Sequence, residues 1–112
     1  MNRSKKKKRI VKIETFATRV YHELSKVPKG KVITYKALAR IAGNPNAARV
    51  VGLLMKNNKY PNLIPCYKVV RSDGSIGKYS AKGGKEKKIQ LLKKEGIKII
   101  KGKIIDDRYI IK

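Results

Sequence analysis

The run Gly43-Asn44-Pro45 constrains this chain most, because it forces two apolar helical segments into close succession. A glycine that stops one helix, followed at once by an Asn-Pro pair that restarts the chain, leaves room only for a tight turn. Helical spacing of apolar residues precedes this turn over 35–42 and follows it from Ala47 to Met55. We therefore predict two consecutive helices, with Asn44 as the N-cap of the second. The pattern is typical of a helix-turn-helix, but an ordinary αα-hairpin shares it.

The charge of the chain favours a polyanionic partner. Its 112 residues carry 30 Lys and Arg against seven Asp and Glu, a formal net charge of +23. Such a surface attracts nucleic acid, which favours the helix-turn-helix interpretation, and the excess of lysine over arginine favours phosphate contacts over base reading. We predict a disordered basic arm at 1–12 and one domain over 13–112. No apolar run reaches the length of a membrane span and no secretion signal is recognised, so we expect a cytoplasmic protein with no membrane contact.

The remaining elements follow from apolar spacing and from glycine and proline breaks. A first helix is predicted over 15–27, where Pro28-Lys29-Gly30 stops it, and a fourth over about 86–94, where Gly96 stops it. A turn at 72–75 predicts a small β-hairpin, or wing.

Alternation over 97–105 and 108–111 predicts a C-terminal β-hairpin. The expected fold class is therefore mainly α. It is a helix-turn-helix or winged-helix-like DNA-binding domain with a small β-hairpin wing and a C-terminal β-hairpin.

Cys66 is the only cysteine of the chain, and it follows Pro65 in an apolar run. It cannot form an intramolecular disulfide, and the one histidine, His22, lies far away in sequence, so we expect no metal site. Two interpretations stay open on the residues alone. A free cysteine is most often a small buried core residue, but a thiolate is also a strong, soft nucleophile.

Ordered blocks of residues between Phe16 and Gly96 resemble one known family. They are Val27-Pro28-Lys29-Gly30-Lys31-Val32, Thr34-Tyr35, the segment 43–52, Met55 with Asn58, Ile64-Pro65-Cys66, the segment 73–80 and the segment 91–96. In this order and spacing they resemble the DNA-binding catalytic domain of methylated-DNA–protein-cysteine methyltransferases. The sister alkyltransferase-like proteins are also similar.

The resemblance implies repair of double-stranded DNA that contains O6-alkylguanine. The damaged nucleotide is flipped out of the duplex, and Cys66 takes the alkyl group in a single turnover and keeps it as a thioether. No cofactor is implied, and we expect a monomer. The alternative is a non-enzymatic lesion sensor that recruits excision repair, as alkyltransferase-like proteins do.

The resemblance also implies roles for single residues. Arg49 resembles the finger residue that fills the vacated base stack, and Tyr35 the tyrosine that protonates the leaving guanine; as residues alone, they also fit a phosphate contact and a half-buried core position. Asn58 is expected to brace the active-site turn, although it also fits a helix cap. Further DNA contacts are expected at Lys36, Asn44, Ala47, Ala48 and Ser72, and a base pocket at Met55, Val69, Tyr79 and Ser80.

One departure from the family pattern bears on the chemistry, because Tyr67 stands where the family has histidine. That histidine passes a proton through water to a glutamate, for which Glu95 is the match, whereas tyrosine, with a reference pKa of about 10, is no base at neutral pH. A free thiol is only about 3% ionised at neutral pH, so full ionisation gains at most about 30-fold in thiolate. We therefore keep Cys66 as the expected nucleophile, with Lys68 favouring its charge and Glu95 bracing Tyr67 or a backbone group.

A second departure lies after Tyr79. The spacing to the helical segment 88–92 is longer than in the family, and it leaves the register of Lys88 open.

Overall fold

The computed structural model describes residues 15–77, 79 and 81–112. In this part of the chain, four helices surround a small parallel sheet. The helices are α1 (15–25), α2 (Tyr35–Ile41), α3 (Ala48–Lys56) and α4 (Gly84–Lys94), and the strands are β1 (Val32–Thr34), β2 (Val69–Val70) and β3 (Ile110–Ile111). The expected helix-rich fold is confirmed, whereas the parallel sheet was not predicted. The basic arm predicted at 1–12 lies outside the described residues.

β1 is the central strand of the sheet, and its position decides where the helices lie. The strand order is β2-β1-β3, both pairs are parallel, and Ile33 lies opposite both Val69 and Ile111. One apolar cluster packs α1, α2 and α3 against this sheet, and it contains Phe16, Val20 and Leu24 of α1. A second cluster joins the sheet to α4 and the C-terminal segment. Cys66 belongs to the first cluster.

α2 begins directly after β1 because Thr34 ends the strand and caps the helix. Its backbone is extended, and its hydroxyl oxygen accepts a hydrogen bond from the Ala37 N–H at 3.0 Å. At the other end, Gly43 has a φ of +103°, and the Asn44 N–H donates to the Ala39 carbonyl at 2.9 Å. This is a Schellman ending, in which the left-handed position favours glycine.

Asn44 was predicted to be the N-cap of α3, and this prediction is wrong. α3 begins at Ala48 with Ala47 before it, and no side chain caps it. The Asn44 side chain instead accepts from the Asn46 N–H at 3.3 Å, inside the turn. An Asx turn of this kind competes with helix capping, because the same short side chain satisfies either set of backbone donors. α2 and α3 pack against each other; their helix-turn-helix role stays a prediction.

The predicted wing is wrong in its pairing, and the predicted C-terminal hairpin is present only at its turn. β2 pairs with β1, and the segment after it turns at Gly74 and forms an antiparallel bridge from Ser75 to Lys103. The tail turns at Lys101-Gly102, where Ile100 and Lys103 pair antiparallel, and its last segment forms β3 beside β1. Alternation of apolar residues indicates extended backbone without naming its partner, and the open edge of β1 provided that partner.

Other boundaries differ by a few residues. α1 ends at 25 rather than 27, α2 at Ile41 rather than Ala42, and α4 begins at Gly84 rather than Glu86. None of the described helices is both long enough and apolar enough to cross a lipid bilayer.

Candidate functional site

Cys66 lies where the polypeptide passes from a loop into β2. It opens a short 3-10 turn, Cys66–Lys68, and its N–H donates to the Ile64 carbonyl at 2.8 Å. The residue is 6% exposed, and three tyrosines, Tyr21, Tyr35 and Tyr79, pack against the apolar cluster to which it belongs. The sulfur is therefore surrounded by aromatic as well as aliphatic side chains.

The loop before Cys66 is held in place by Asn58. Its side-chain amide donates to the Ile64 carbonyl at 3.0 Å, and its side-chain oxygen accepts from the Tyr60 N–H at 3.0 Å. Both ends of the loop are thus tied to the C-terminal end of α3. These bonds are compatible with the bracing role expected for Asn58, which stays a prediction.

Glu95 joins three parts of the chain in a group that we call the carboxylate cluster: Gly30, Tyr67, Lys68 and Glu95. Glu95 Oε1 accepts from the Gly30 N–H at 3.0 Å and from Lys68 Nζ at 2.9 Å, and Oε2 accepts from the Tyr67 hydroxyl. Lys68 Nζ also donates to the carbonyls of Val27 and Pro28, at 3.1 and 2.8 Å. Its three N–H groups therefore have three acceptors in a site where little of the side chain is exposed.

The pKa values of this cluster follow from burial and hydrogen bonding. Burial raises the pKa of Glu95, but hydrogen bonds from Tyr67, Lys68 and Gly30 outweigh it, so the carboxyl pKa lies below its ordinary value. Burial and the bond to Glu95 raise the pKa of Tyr67 well above its ordinary value. Tyr67 therefore stays protonated at neutral pH and donates a hydrogen bond to Glu95. Lys68 forms an ion pair with the same carboxylate.

A second buried lysine lies on α4. Lys88 is 1% exposed, and its Nζ donates to the Val69 carbonyl at 2.8 Å. Burial lowers its pKa to about 8; positive charge on Arg71 and Lys85 contributes to this, and negative charge on the nearby Cys66 opposes it. We call Cys66, together with Tyr35, Tyr79 and Lys88, whose pKa values respond to its charge, the thiol cluster.

The tyrosines of the thiol cluster stay protonated at neutral pH. Burial raises the pKa of Tyr35, Arg71 opposes this, and the Cys66 charge adds to it. Burial and the Cys66 charge also raise the pKa of Tyr79. A phenol that keeps its proton is a hydrogen-bond donor and a proton source rather than a base.

Two concave surfaces reach the thiol cluster from the outside. One, of about 600 Å³, lies along α3 and is lined by Tyr35, Ala48, Arg49, Gly52, Leu53, Lys56 and Arg71. The other, of about 720 Å³, is lined by Pro61, Asn62, Tyr67, Tyr79, Ala81, Lys82, Gly83, Lys87 and Leu91. Tyr35 and Tyr79 thus connect the cluster around Cys66 to both openings.

The other residues expected to bind DNA fall into two places. Lys36 and Ser72 line a smaller basic cavity with Arg40 and Lys112. Asn44 is exposed in the turn before α3, and Ala48 and Arg49 lie on its first turn. Ala47 is buried in the apolar cluster, so its side chain is not placed for the DNA contact that was expected of it.

The residues expected to form the base pocket differ in burial. Met55 and Val69 are buried core residues, and Tyr79 is half-buried beside them. Ser80 lies outside the described residues.

Similarity to known proteins shows which family this chain belongs to. Residues 15–97 match the family described as 6-O-methylguanine DNA methyltransferase, DNA binding domain. The chain belongs to this family. The match covers nearly the same segment as the blocks noted in the sequence, so that resemblance is confirmed for the DNA-binding domain of the methyltransferase family.

Relatives in this methyltransferase family include enzymes and an alkyltransferase-like protein. The methylated-DNA–protein-cysteine methyltransferase of Rattus norvegicus is 51% identical over 85 residues, which cover 75% of this chain and 40% of the rat protein. Alkyltransferase-like protein 1 of Schizosaccharomyces pombe is 35% identical over 89 residues, which cover 80% of this chain and 82% of that protein. This chain therefore spans well under half of the rat methyltransferase.

A solved structure agrees with these relatives. The crystal structure of S. pombe Atl1 in complex with damaged DNA containing O6-carboxymethylguanine superposes with a TM-score of 0.79 at 33% identity. The superposition covers 88% of this chain and 96% of that chain.

Sequence reasoning missed the positions of the two buried lysines. Lys68 was expected to act on the thiol, but it binds Glu95. Lys88 was not among the expected site residues, although a signal for it existed. It precedes buried Leu92 by one helical turn and shares its face, so its place in the helix is that of a core residue.

Proposed function

We propose that this chain repairs O6-alkylguanine in double-stranded DNA by transferring the alkyl group once, and irreversibly, to Cys66. The observation that carries the proposal is the position of Cys66. It belongs to the apolar cluster against which Tyr35 and Tyr79 pack, and Tyr35 also lines the opening along α3. The chain keeps the cysteine that the chemistry consumes, and its net charge of +23 provides the attraction to phosphate.

The nucleotide must leave the duplex before the sulfur can reach its alkyl carbon. Arg49 is exposed on the first turn of α3 and lines the same opening as Tyr35, which supports its role as the residue that fills the vacated stack. Met55, Val69 and Tyr79 then form the wall behind the flipped base, to which we also assign Ser80. Lys36, Asn44, Ala48 and Ser72 hold the phosphates on either side, and buried Ala47 acts only through its backbone.

The transfer is a direct displacement at carbon. The Cys66 thiolate forms a C–S bond as the C–O6 bond breaks, and the electron pair stays on the guanine oxygen. Tyr35 supplies the proton that the guanine takes on leaving, which its raised pKa allows at neutral pH. Asn58 keeps the Cys66 turn in place, and Glu95 supports it through Tyr67.

Intact mass after mixing with duplex DNA tests this proposal. A duplex with one O6-methylguanine should add one methyl group to the Cys66 peptide, and an undamaged duplex should add nothing. Cys66→Ser should bind the damaged duplex and gain no methyl group. Tight binding of damaged DNA with an unchanged protein mass would reject the transferase and support the non-enzymatic lesion sensor, the alternative that the missing histidine favours.

Arg49→Ala tests the flipping step separately. We expect flipping, followed by the fluorescence of a base analogue at the target position, to fall more than the affinity for undamaged duplex does. Lys56→Ala, which removes a charge from the same opening, is the matched control. Equal losses of flipping and affinity in Arg49→Ala would reject the finger role.

A further inference from the structure

α3 begins without a cap from its own sequence, so the turn before it matters for its direction. Ala47 stands at the N-cap position, where no side chain accepts from the first N–H groups of the helix. Apolar packing of Val51 and Met55 holds the later turns of α3, whereas the turn at 43–46 is exposed. A contact that fixes this turn from elsewhere in the chain therefore helps to fix where α3 starts.

Arg19 of α1 makes such a contact. Its Nε–H donates to the Ala42 carbonyl at 2.6 Å, across 23 residues of sequence. Ala42 is the C-cap of α2, and the last carbonyls of a helix lack partners within the helix. The guanidinium also lies against Gly43, because a β-carbon there would be 3.6 Å from both Nε and Nη2. Arg19 thus covers the point at which the chain leaves α2 and turns towards α3.

A second hydrogen bond from α1 reaches the other end of α3. The Tyr21 hydroxyl donates to the carbonyl of Leu54, in the last turn of α3, at 3.2 Å. Between and beyond these two side chains, Val20 and Leu24 anchor α1 in the apolar cluster. α1 therefore contacts the pair of helices α2 and α3 at both ends, with Arg19 at the turn.

We propose that Arg19 is a positioning residue for DNA binding. Its hydrogen bond to Ala42 fixes the turn from which α3 starts, and so the direction in which Arg49, on the first turn of α3, is presented. The role belongs to the donor at Nε rather than to the positive charge. It rests on the proposed function, since it supplies the orientation of α3 that nucleotide flipping uses.

Two neutral substitutions separate the hydrogen bond from the charge. In Arg19→Gln the amide nitrogen is as many bonds from the main chain as the arginine Nε, so it can still donate to the Ala42 carbonyl. Arg19→Met has a similar length but no donor. Both variants lose one positive charge, and therefore the same attraction to phosphate.

The measurement is the affinity for a duplex with one O6-methylguanine, with Cys66→Ser added so that the lesion is not consumed. We expect Arg19→Met to bind about tenfold more weakly than Arg19→Gln, the order of one hydrogen bond to a charged or polar partner. The ratio should be the same at about 50 mM and about 200 mM salt, since salt screens a charge but does not restore a position. Equal affinities of the two variants would assign any loss to the charge and overturn the proposal.

The reactivity of Cys66 distinguishes positioning from a general loosening of the chain. The residue is 6% exposed, so a loosened fold would speed its alkylation by iodoacetamide. With Cys66 present, we expect Arg19→Met and Arg19→Gln to react within twofold of the wild-type rate. Weaker DNA binding accompanied by much faster alkylation would mean that Arg19 only stabilises the fold.

A measurement on the unsubstituted chain decides the matter if Arg19→Met does not fold. NMR hydrogen exchange follows the Arg19 Nε–H in the free chain and in its complex with an undamaged duplex. We expect protection from exchange in both states, because Arg19 keeps the Ala42 carbonyl while DNA is bound. Loss of this protection in the complex would show that Arg19 turns to the DNA, which contradicts the positioning role.

None of these measurements depends on alkyl transfer, so their outcome is separate from that of the transferase. A tenfold difference between Arg19→Met and Arg19→Gln, in a protein that never gains a methyl group, would reject the transferase and keep the Arg19 role. Methyl transfer with no difference between the two variants would do the reverse.

Discussion

The carboxylate cluster and the thiol cluster both contain a buried lysine, but the two lysines meet different chemistry. Lys68 binds a carboxylate and two backbone carbonyls, so its charge is compensated in place. Lys88 binds the backbone carbonyl of Val69, and burial lowers its pKa. The first arrangement stabilises a turn around a charged lysine, whereas burial of the second lysine favours its neutral form.

The largest effect should come from breaking the carboxylate cluster. Lys68→Met leaves the partly buried Glu95 carboxylate and the carbonyls of Val27 and Pro28 without their ammonium. We expect the free energy of unfolding to fall by about 3 kcal/mol or more, measured by urea denaturation. The control is Lys26→Met, which breaks the exposed Lys26–Glu23 pair and should cost less than about 0.5 kcal/mol. Similar losses in the two variants would show that Lys68 is no more than a surface partner.

The buried lysine of the thiol cluster should make the free energy of unfolding depend on pH in alkaline solution. The pKa of Lys88 is about 8 in the folded chain and about 10.4 when unfolded, so between these values the unfolded chain binds the extra proton. Stability therefore rises with pH in this window, with a slope of at most about 1.4 kcal/mol per pH unit.

Urea denaturation from pH 7.5 to pH 9.5 measures this slope. The range ends below the pKa of unfolded tyrosine, about 10, above which the raised tyrosine pKa values favour unfolding. Lys88→Met should remove the rise, while Lys87→Met should keep it. A rise of the same size in Lys88→Met would assign it to another group.

A smaller change separates the two clusters by function. Tyr67→Phe removes the hydroxyl that donates to Glu95 and should lower the free energy of unfolding by about 2 kcal/mol, as expected for a hydrogen bond to a charged group. The rate at which iodoacetamide alkylates the Cys66 thiol should stay within twofold of the wild-type rate. Tyr60→Phe, at an exposed position, is the control for stability. A large fall in the rate of Cys66 alkylation in Tyr67→Phe would mean that the carboxylate cluster activates the thiol.

The smallest effect on the free energy of unfolding is expected at acidic pH, where Glu95 becomes protonated. The pKa of Glu95 is lowered in the folded state, so its contribution to stability is present above the unfolded value of about 4.3 and is lost as pH falls through the folded value. The difference in unfolding free energy between wild type and Glu95→Gln should therefore shrink as the pH is lowered from 6 to 3. A constant difference would mean that the Glu95 side chain acts through its shape rather than its charge.

The sequence by itself was enough for the parts of the site that depend on order along the chain. The Gly43-Asn44-Pro45 turn predicted α2 and α3, because glycine and proline restrict local backbone wherever they occur. The blocks around Cys66 identified the family. The substitution of Tyr67 for histidine could also be read directly, and so could the expectation that Glu95 binds Tyr67 or a backbone group, both of which it contacts.

Tertiary structure alone decided the partners of groups that lie far apart in sequence. The last segment of the tail pairs with β1 because β1 offered an open edge, which alternation cannot reveal. Lys68 meets Glu95, and Lys88 meets Val69 beside Cys66, although both lysines belong to a chain rich in lysine at exposed positions. Burial and the distance to a partner fix the protonation of a lysine, and neither is a local property of the sequence.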